Sequence, residues 1–163
     1  MFNLFKKKDT AAKELKAPCN GKVISITEVQ DDVFSSCMLG KGIAVKPSDS
    51  KSMVVAPVDG EISVVMEGSN HAVGIKVKEG FDLLIHIGID TVSLNGEGFT
   101  SFVNMGQKVK AGDKLIEFDK DLVVSKNLCP DVILIALDNP ELPALDYKTG
   151  MDGVGGETVV ATW

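Results

Sequence analysis

From Ala17 onward the chain is built from short alternating or wholly apolar runs, broken by glycine-bearing turns about every 8–12 residues. That rhythm is the pattern of an all-β protein. It predicts strands over Gly21–Thr27, Gly42–Lys46, Ser52–Ala56, Glu61–Met66, Ala72–Lys78, Phe81–Ile87, Lys108–Val109, Lys114–Phe118, Val132–Ala136 and Thr158–Thr162. Helical periodicity is nearly absent, with one or two short turns expected at Asp121–Lys126. Pro57-Val-Asp-Gly60, Lys78-Glu-Gly80 and Ala111-Gly-Asp113 supply the turn chemistry.

Ala17-Pro18-x-x-Gly21 followed by Lys22-Val23-Ile24-Ser25 recurs as Ala56-Pro57-x-x-Gly60 followed by Glu61-Ile62-Ser63, and Gly106 to Leu115 keeps a similar beat. The self-similarity reads either as duplicated hairpin units or as the small vocabulary of β-turns. Duplicated hairpins close into a sandwich or a partly closed barrel of antiparallel strands, and that is the expected fold. With 163 residues the chain is long enough for one domain. The expected division is a flexible lysine-rich leader at 1–16 and a single domain at 17–163. Met1, Phe2, Leu4 and Phe5 beside Lys6–Lys8 form at most a weak peripheral membrane contact through residues 1–8, and read equally as a solvated tail.

Charge and composition narrow the function classes. The net charge of −6 speaks against a nucleic-acid surface. No apolar run approaches the roughly 20 residues of a membrane-spanning helix, and no secretory signal is visible. Every basic residue is a lysine, so a phosphate bound here is not held by an arginine fork of this chain. Cys19, Cys37 and Cys129 are odd in number and contain no CxxC pair, which fits a reducing cytoplasm.

The only histidines are His71 and His86. Over Phe81–Asp90 the odd positions are Phe, Leu, Ile, Ile and Ile, whereas the even ones bring Asp82, His86 and Asp90 together around Leu84 and Gly88. A period of two puts these on opposite faces, so an apolar face fixes the backbone while His86 looks out. By itself a strand histidine is more often structural than functional. His71 is in step with Val73, Ile75 and Val77 and reads as a core-edge group, with Ser69 able to hold one ring nitrogen. No nucleotide-cradling GxxxxGK[ST], no GxGxxG after a strand and no GxSxG elbow occurs, and Gly153-Val-Gly155-Gly156 reads as a connector. His86-x-x-x-Asp90 matches part of a zinc-peptidase pattern but lacks a third nitrogen ligand.

The string Gly80-Phe-Asp-Leu-Leu-Ile-His86-Ile-Gly-Ile-Asp-Thr91-Val92-Ser-Leu94-Asn-Gly96-Glu97-Gly98-Phe99 closely resembles the active-site signature of the glucose-family IIA components of the bacterial phosphoenolpyruvate-dependent sugar phosphotransferase system. Gly42-Ile-Ala-Val-Lys46-Pro47, Ala56 to Gly60, Asn70-His71-Ala72 and Gly106 to Asp113 are also similar and occur in family order. The resemblance spans roughly 17–163 and implies a cytoplasmic, stand-alone phosphohistidine carrier. Such a carrier takes its group from the histidine-containing phosphocarrier protein and passes it to a cysteine on the IIB domain of a sugar permease. Regulatory target proteins are further expected partners.

By position, the resemblance implies that His86 is phosphorylated on Nε2, with its Nδ1–H held by the Gly88 carbonyl. His71 is implied as its partner, and Ser69 stands where relatives often carry threonine. The implied docking rim is Val33, Phe34, Met38, Leu39, Met66, Leu84 and Val92, with Asp31 and Asp90 as its acids. No cofactor is required; a zinc ion shared by His71 and His86 and completed by a partner is an expected extra. The alternatives are a zinc peptidase-like domain, or a biotinyl- or lipoyl-like carrier suggested by the Gly106–Leu115 beat.

Overall fold

The computed structural model describes residues 13–163. The described residues contain fourteen strands: β1 Glu14–Lys16, β2 Gly21–Ser25, β3 Gly40–Pro47, β4 Lys51–Val55, β5 Gly60–Val65, β6 Ala72–Val77, β7 Asp82–Ile87, β8 Phe99–Ser101, β9 Lys108–Val109, β10 Lys114–Asp119, β11 Val132–Leu137, β12 Asp146–Tyr147, β13 Asp152–Gly153 and β14 Val159–Thr162. Two short helices, α1 Asp32–Ser35 and α2 Lys120–Ser125, and 3₁₀ turns at Ile26–Glu28 and Thr91–Leu94 complete the elements. The ten expected strands are all present, with ends shifted by a residue or two.

The strands are antiparallel and form one eight-stranded sheet, ordered β13-β2-β3-β11-β7-β6-β5-β9, and two three-stranded sheets, β4-β10-β8 and β1-β14-β12. This is a sandwich; no barrel closes. The β2–β3 and β5–β6 pairs occupy corresponding places on either side of the central β11–β7 pair. Both are entered from an Ala-Pro-x-x-Gly stretch, so the internal repeat of the sequence coincides with a repeat in the sheet.

Inward-facing residues of the large sheet, among them Val23, Ile43, Val73, Leu83, Ile85 and Leu134, pack with Val54, Leu115, Phe118 and Val160 of the two smaller sheets. Fully burying one such side chain is worth about 1.5–3 kcal/mol. A second, smaller apolar cluster lies on the opposite face of the large sheet: Ile24, Ala44, Ile133 and Ile135 under Ile26, Val29, Phe34 and Ile89. The segment between β2 and β3 therefore lies over the outer face.

The structure departs from the sequence pattern at three places. The folded part begins before residue 17, because Leu15 is fully buried and Glu14, Leu15 and Lys16 pair with Thr162, Ala161 and Val159; the leader proper, residues 1–12, lies outside the described residues, as does the expected membrane contact at 1–8. The strand from Gly21 stops at Ser25, where Ser25 and Glu28 form a reciprocal capping box that turns the chain into a 3₁₀ helix. Helix α1 has no counterpart in the sequence reading. Four residues are too few to show periodicity, and the turn is set by the Asp31 carboxylate accepting from the Val33 and Phe34 N–H groups at 2.9 and 3.4 Å.

Candidate active site

Strand β7 lies at the middle of the large sheet between β11 and β6, and its alternation is the expected one. Leu83, Ile85 and Ile87 are fully buried on the inner face, whereas Leu84 and His86 are half-buried on the outer one. Across the ladder His86 stands opposite Ile133 on one side and Ala72 on the other. The strand ends at Ile87, and Gly88 takes φ +75°. A Cβ at Gly88 would come within 2.9 Å of the Cys129 carbonyl oxygen and would also meet the Thr91 side chain. Glycine is required there by both conformation and space.

This turn sets which ring nitrogen of His86 carries the proton. The Gly88 carbonyl folds back to within 2.8 Å of His86 Nδ1. A carbonyl only accepts, so Nδ1 carries the proton and the lone pair is on Nε2. His71 sits just before β6, and its carbonyl accepts from Ile87 N–H at 2.7 Å. Its imidazole is buried and meets the His86 ring edge-on, with centroids 4.9 Å apart at 84°. Ser69 Oγ lies 2.6 Å from His71 Nδ1 and 3.4 Å from the Met66 carbonyl. The hydroxyl has one proton, and the far shorter contact takes it; His71 Nδ1 then accepts, and Nε2–H points away as a donor.

Both imidazoles are neutral at pH 7. Burial pushes the His71 pKa below the ordinary histidine value of 6.5. Burial also lowers His86, helped by the neighbouring His71, against the opposing pull of the Gly88 carbonyl, Asp31 and Asp90. The result is a ring nitrogen with a free lone pair beside a ring N–H donor, on the outer face of a rigid sheet.

Residues 13–142 match the family described as phosphoenolpyruvate-dependent sugar phosphotransferase system, EIIA 1. The chain belongs to this family. It is 40% identical over 151 residues to the PTS system glucose-specific EIIA components of Bacillus anthracis and Bacillus cereus, covering 93% of this chain and 90% of each relative. The solved glucose permease IIA from Mycoplasma capricolum superposes with a TM-score of 0.82 at 39% identity, over 94% of this chain and 97% of that one. As an EIIA component the protein is a phosphotransferase of the sugar transport system, accepting a phosphoryl group from the histidine-containing phosphocarrier protein and passing it to the IIB domain. The zinc-peptidase and biotinyl- or lipoyl-carrier alternatives find no support in this match.

The surroundings of the EIIA histidines are partly those expected. Asp31, Val33, Phe34, His86, Asp90 and Val92 line one open depression of about 200 Å³, together with Ile89. Phe34 is nearly buried, its ring centroid 5.0 Å from that of His86, so it forms a wall of the site. Val33 and Val92 are exposed on the rim. Met38, Leu39 and Met66 are exposed but stand outside the depression, and Leu84 packs against the outer-face cluster.

Asp90 reaches the depression by a different route from the one expected. Strand alternation has ended by then, and Asp90 arrives through a left-handed turn, φ +60°. The same turn moves Ile89 to the outer-face cluster, not the inner apolar face that periodicity assigns to it. Among the described residues no group of three or more histidine, cysteine, aspartate or glutamate side chains is placed to hold a metal, so any zinc here has only the two imidazoles as its core ligands. Thr91, left unassigned by the sequence reading although it stands inside the signature string, is fully buried against Gly88. Its place three residues after Gly88, directly following the Gly-Ile-Asp stretch, was the available signal. No helix among the described residues is long and apolar enough to cross a membrane.

Proposed function

We propose that His86 is the residue phosphorylated, on Nε2, and that the fold from Lys13 onward works as one carrier domain in the cytoplasm. The observation that carries this is the 2.8 Å contact of His86 Nδ1 with the Gly88 carbonyl, which leaves Nε2 as the nucleophilic atom. The Nε2 lone pair forms a P–N bond to the incoming phosphorus while the donor's P–N bond breaks and its electrons return to the donor imidazole. In delivery a cysteine thiolate of the IIB domain attacks phosphorus, and the bond to His86 breaks. The chain supplies position and charge stabilisation, which is most of what phosphoryl transfer requires. His71 donates Nε2–H to the phosphoryl oxygens, and Ser69 holds the tautomer that makes this possible.

Asp31, Val33, Phe34, Asp90 and Val92 around the depression, with Met38, Leu39, Met66 and Leu84 beyond or beside it, form the face that meets both protein partners. Methionines on such a face adapt to surfaces of different shape, which suits a carrier that docks with a donor and an acceptor in turn. Incubation with phosphoenolpyruvate and the general system proteins gives a labile gain of roughly 80 Da, one phosphoryl group. The gain maps to the peptide that contains His86. A gain mapped to any peptide lacking His86 overturns the assignment.

Zinc belongs to the same reading as a secondary ligand. Both Nδ1 atoms are engaged, so only the two Nε2 atoms are available, and a tetrahedral site needs two further ligands from a partner or water. Calorimetric titration of the free protein with zinc gives weak one-to-one binding that disappears in His86→Gln. Tight binding that survives that substitution rules the shared site out.

A further inference from the structure

The proposed role of His86 depends on where the Gly88 carbonyl points, and that carbonyl belongs to a glycine in a conformation with little intrinsic preference. Three hydrogen bonds fix the two peptide planes on either side of Gly88. Its N–H donates to the Asp131 carbonyl at 2.8 Å, and the next N–H, of Ile89, donates to the Cys129 carbonyl at 2.9 Å. The third bond runs from the Thr91 hydroxyl to the Ile87 carbonyl. The first two are main chain to main chain. Thr91 is the only side chain in the clamp.

Thr91 is fully buried, which is unusual for a hydroxyl and demands a partner. Its Oγ1 satisfies the last carbonyl of β7, and its methyl lies where a Cβ on Gly88 would be. The side chain therefore holds the plane before Gly88 by a hydrogen bond and covers the glycine by contact. Asp90, directly before it, is in the left-handed region and makes no side-chain cap to the 3₁₀ turn that Thr91 begins, so the capping aspartate seen at α1 has no equivalent here.

We propose that Thr91 is a positioning residue of the phosphoryl-transfer site: by clamping the Ile87–Gly88 peptide it keeps the Gly88 carbonyl on His86 Nδ1 and so fixes the tautomer that presents Nε2. The proposal rests on the reading of His86 as the nucleophile for its consequence in activity, but not for its structural part. The tautomer can be read with no phosphoryl donor present.

The experiment is long-range nitrogen-15 NMR of the histidine rings, combined with phosphoryl uptake rates, for the unsubstituted chain, Thr91→Val and Thr91→Ser. Valine keeps the shape and loses the hydroxyl; serine keeps the hydroxyl and loses the methyl. In Thr91→Val the Nδ1–H form of His86 gives way to a mixture with Nε2–H, the His71 signals stay as they are, and uptake falls about tenfold, the scale of losing such a supporting contact. Thr91→Ser retains the Nδ1–H form and most of the rate. A purely structural role lowers the melting temperature of Thr91→Val while leaving the tautomer of His86 unchanged, and that result overturns the proposal.

A measurement on the unsubstituted chain stands apart from whether Thr91→Val folds. The Thr91 hydroxyl proton is protected from exchange and appears as a resolved resonance; a fast-exchanging hydroxyl also overturns the proposal. If phosphorylation maps away from His86 while the tautomer responds to Thr91→Val, the nucleophile assignment fails and the clamp stands. If phosphorylation maps to His86 and the tautomer does not respond, only the clamp fails.

Discussion

Replacing His86 by glutamine abolishes phosphoryl uptake and leaves the fold standing. Glutamine has no nitrogen lone pair able to attack phosphorus, because the amide nitrogen's pair is delocalised into its carbonyl. The surroundings tolerate the exchange. His86 is half-buried on the outer face of β7, and the packed inner face of that strand belongs to Leu83, Ile85 and Ile87. The ring is also held neutral by burial, so its removal takes away no ion pair. The melting temperature of His86→Gln stays within about 3 °C of the parent, equivalent to about 1 kcal/mol for a chain of this size. Uptake from the phosphocarrier, followed by mass, is expected at background. Uptake at the parental rate by His86→Gln, with His71→Gln inert, reverses the two roles.

His71→Gln behaves differently: it is still phosphorylated, and it passes the group on at least a hundredfold more slowly, on the order of 3 kcal/mol of transition-state stabilisation. In the resting protein His71 is an uncharged donor, because burial holds its pKa down and Ser69 occupies Nδ1. When a dianionic phosphoryl group arrives beside it, the same ring can take up positive charge as well as donate a hydrogen bond. A glutamine amide supplies the bond but never the charge, and its flexible side chain lacks the edge-on contact that sets the imidazole against His86. The assay is delivery from pre-loaded protein to an isolated IIB domain. Delivery within threefold of the parent would falsify the role assigned to His71.

Much of the scaffold was legible because the period of two is strong wherever one face of a strand is buried. On β7 the odd positions alone place His86 on the outer face, and the structure agrees. Pattern reading failed where local hydrogen bonds override alternation. Periodicity carries on past Ile87 and puts Ile89 inside and Asp90 outside on a straight strand; the left-handed residues Gly88 and Asp90 break that register, and both residues end beside the depression by way of a turn. Helix α1 was invisible for the same reason, since a single aspartate cap and four residues leave no periodic trace. Strand β1 was hidden by composition. Glu14 and Lys16 are polar, and only Leu15 between them is buried.

The joining of His71 to His86 was not legible from spacing. Fifteen residues separate them, and they meet because β6 and β7 are antiparallel neighbours whose register sets Ala72 opposite His86. Ala72 brings the residue before it to the edge of the neighbouring strand. The resemblance to known IIA components supplied two expectations that spacing could not: which of two histidines to propose as the acceptor, and which carbonyl meets its ring, the latter seen at Gly88.

Asp31 and Asp90 share one depression with His86. An empty His86 is neutral and adds no negative charge to that of the two carboxylates. With His86 phosphorylated, as proposed, a group of about −2 would stand in the same depression. Like charges sharing a depression would raise the energy of that loaded form, and the apolar walls provided by Phe34 and Ile89 would screen them less than water does. Acids proposed to meet a basic partner at this face would therefore also make it an uncomfortable resting place for the cargo. A relay needs that property. A carrier that held its phosphoryl group too well would stall, and with His86 as the acceptor two carboxylates at the rim would tilt the loaded state toward handing it on.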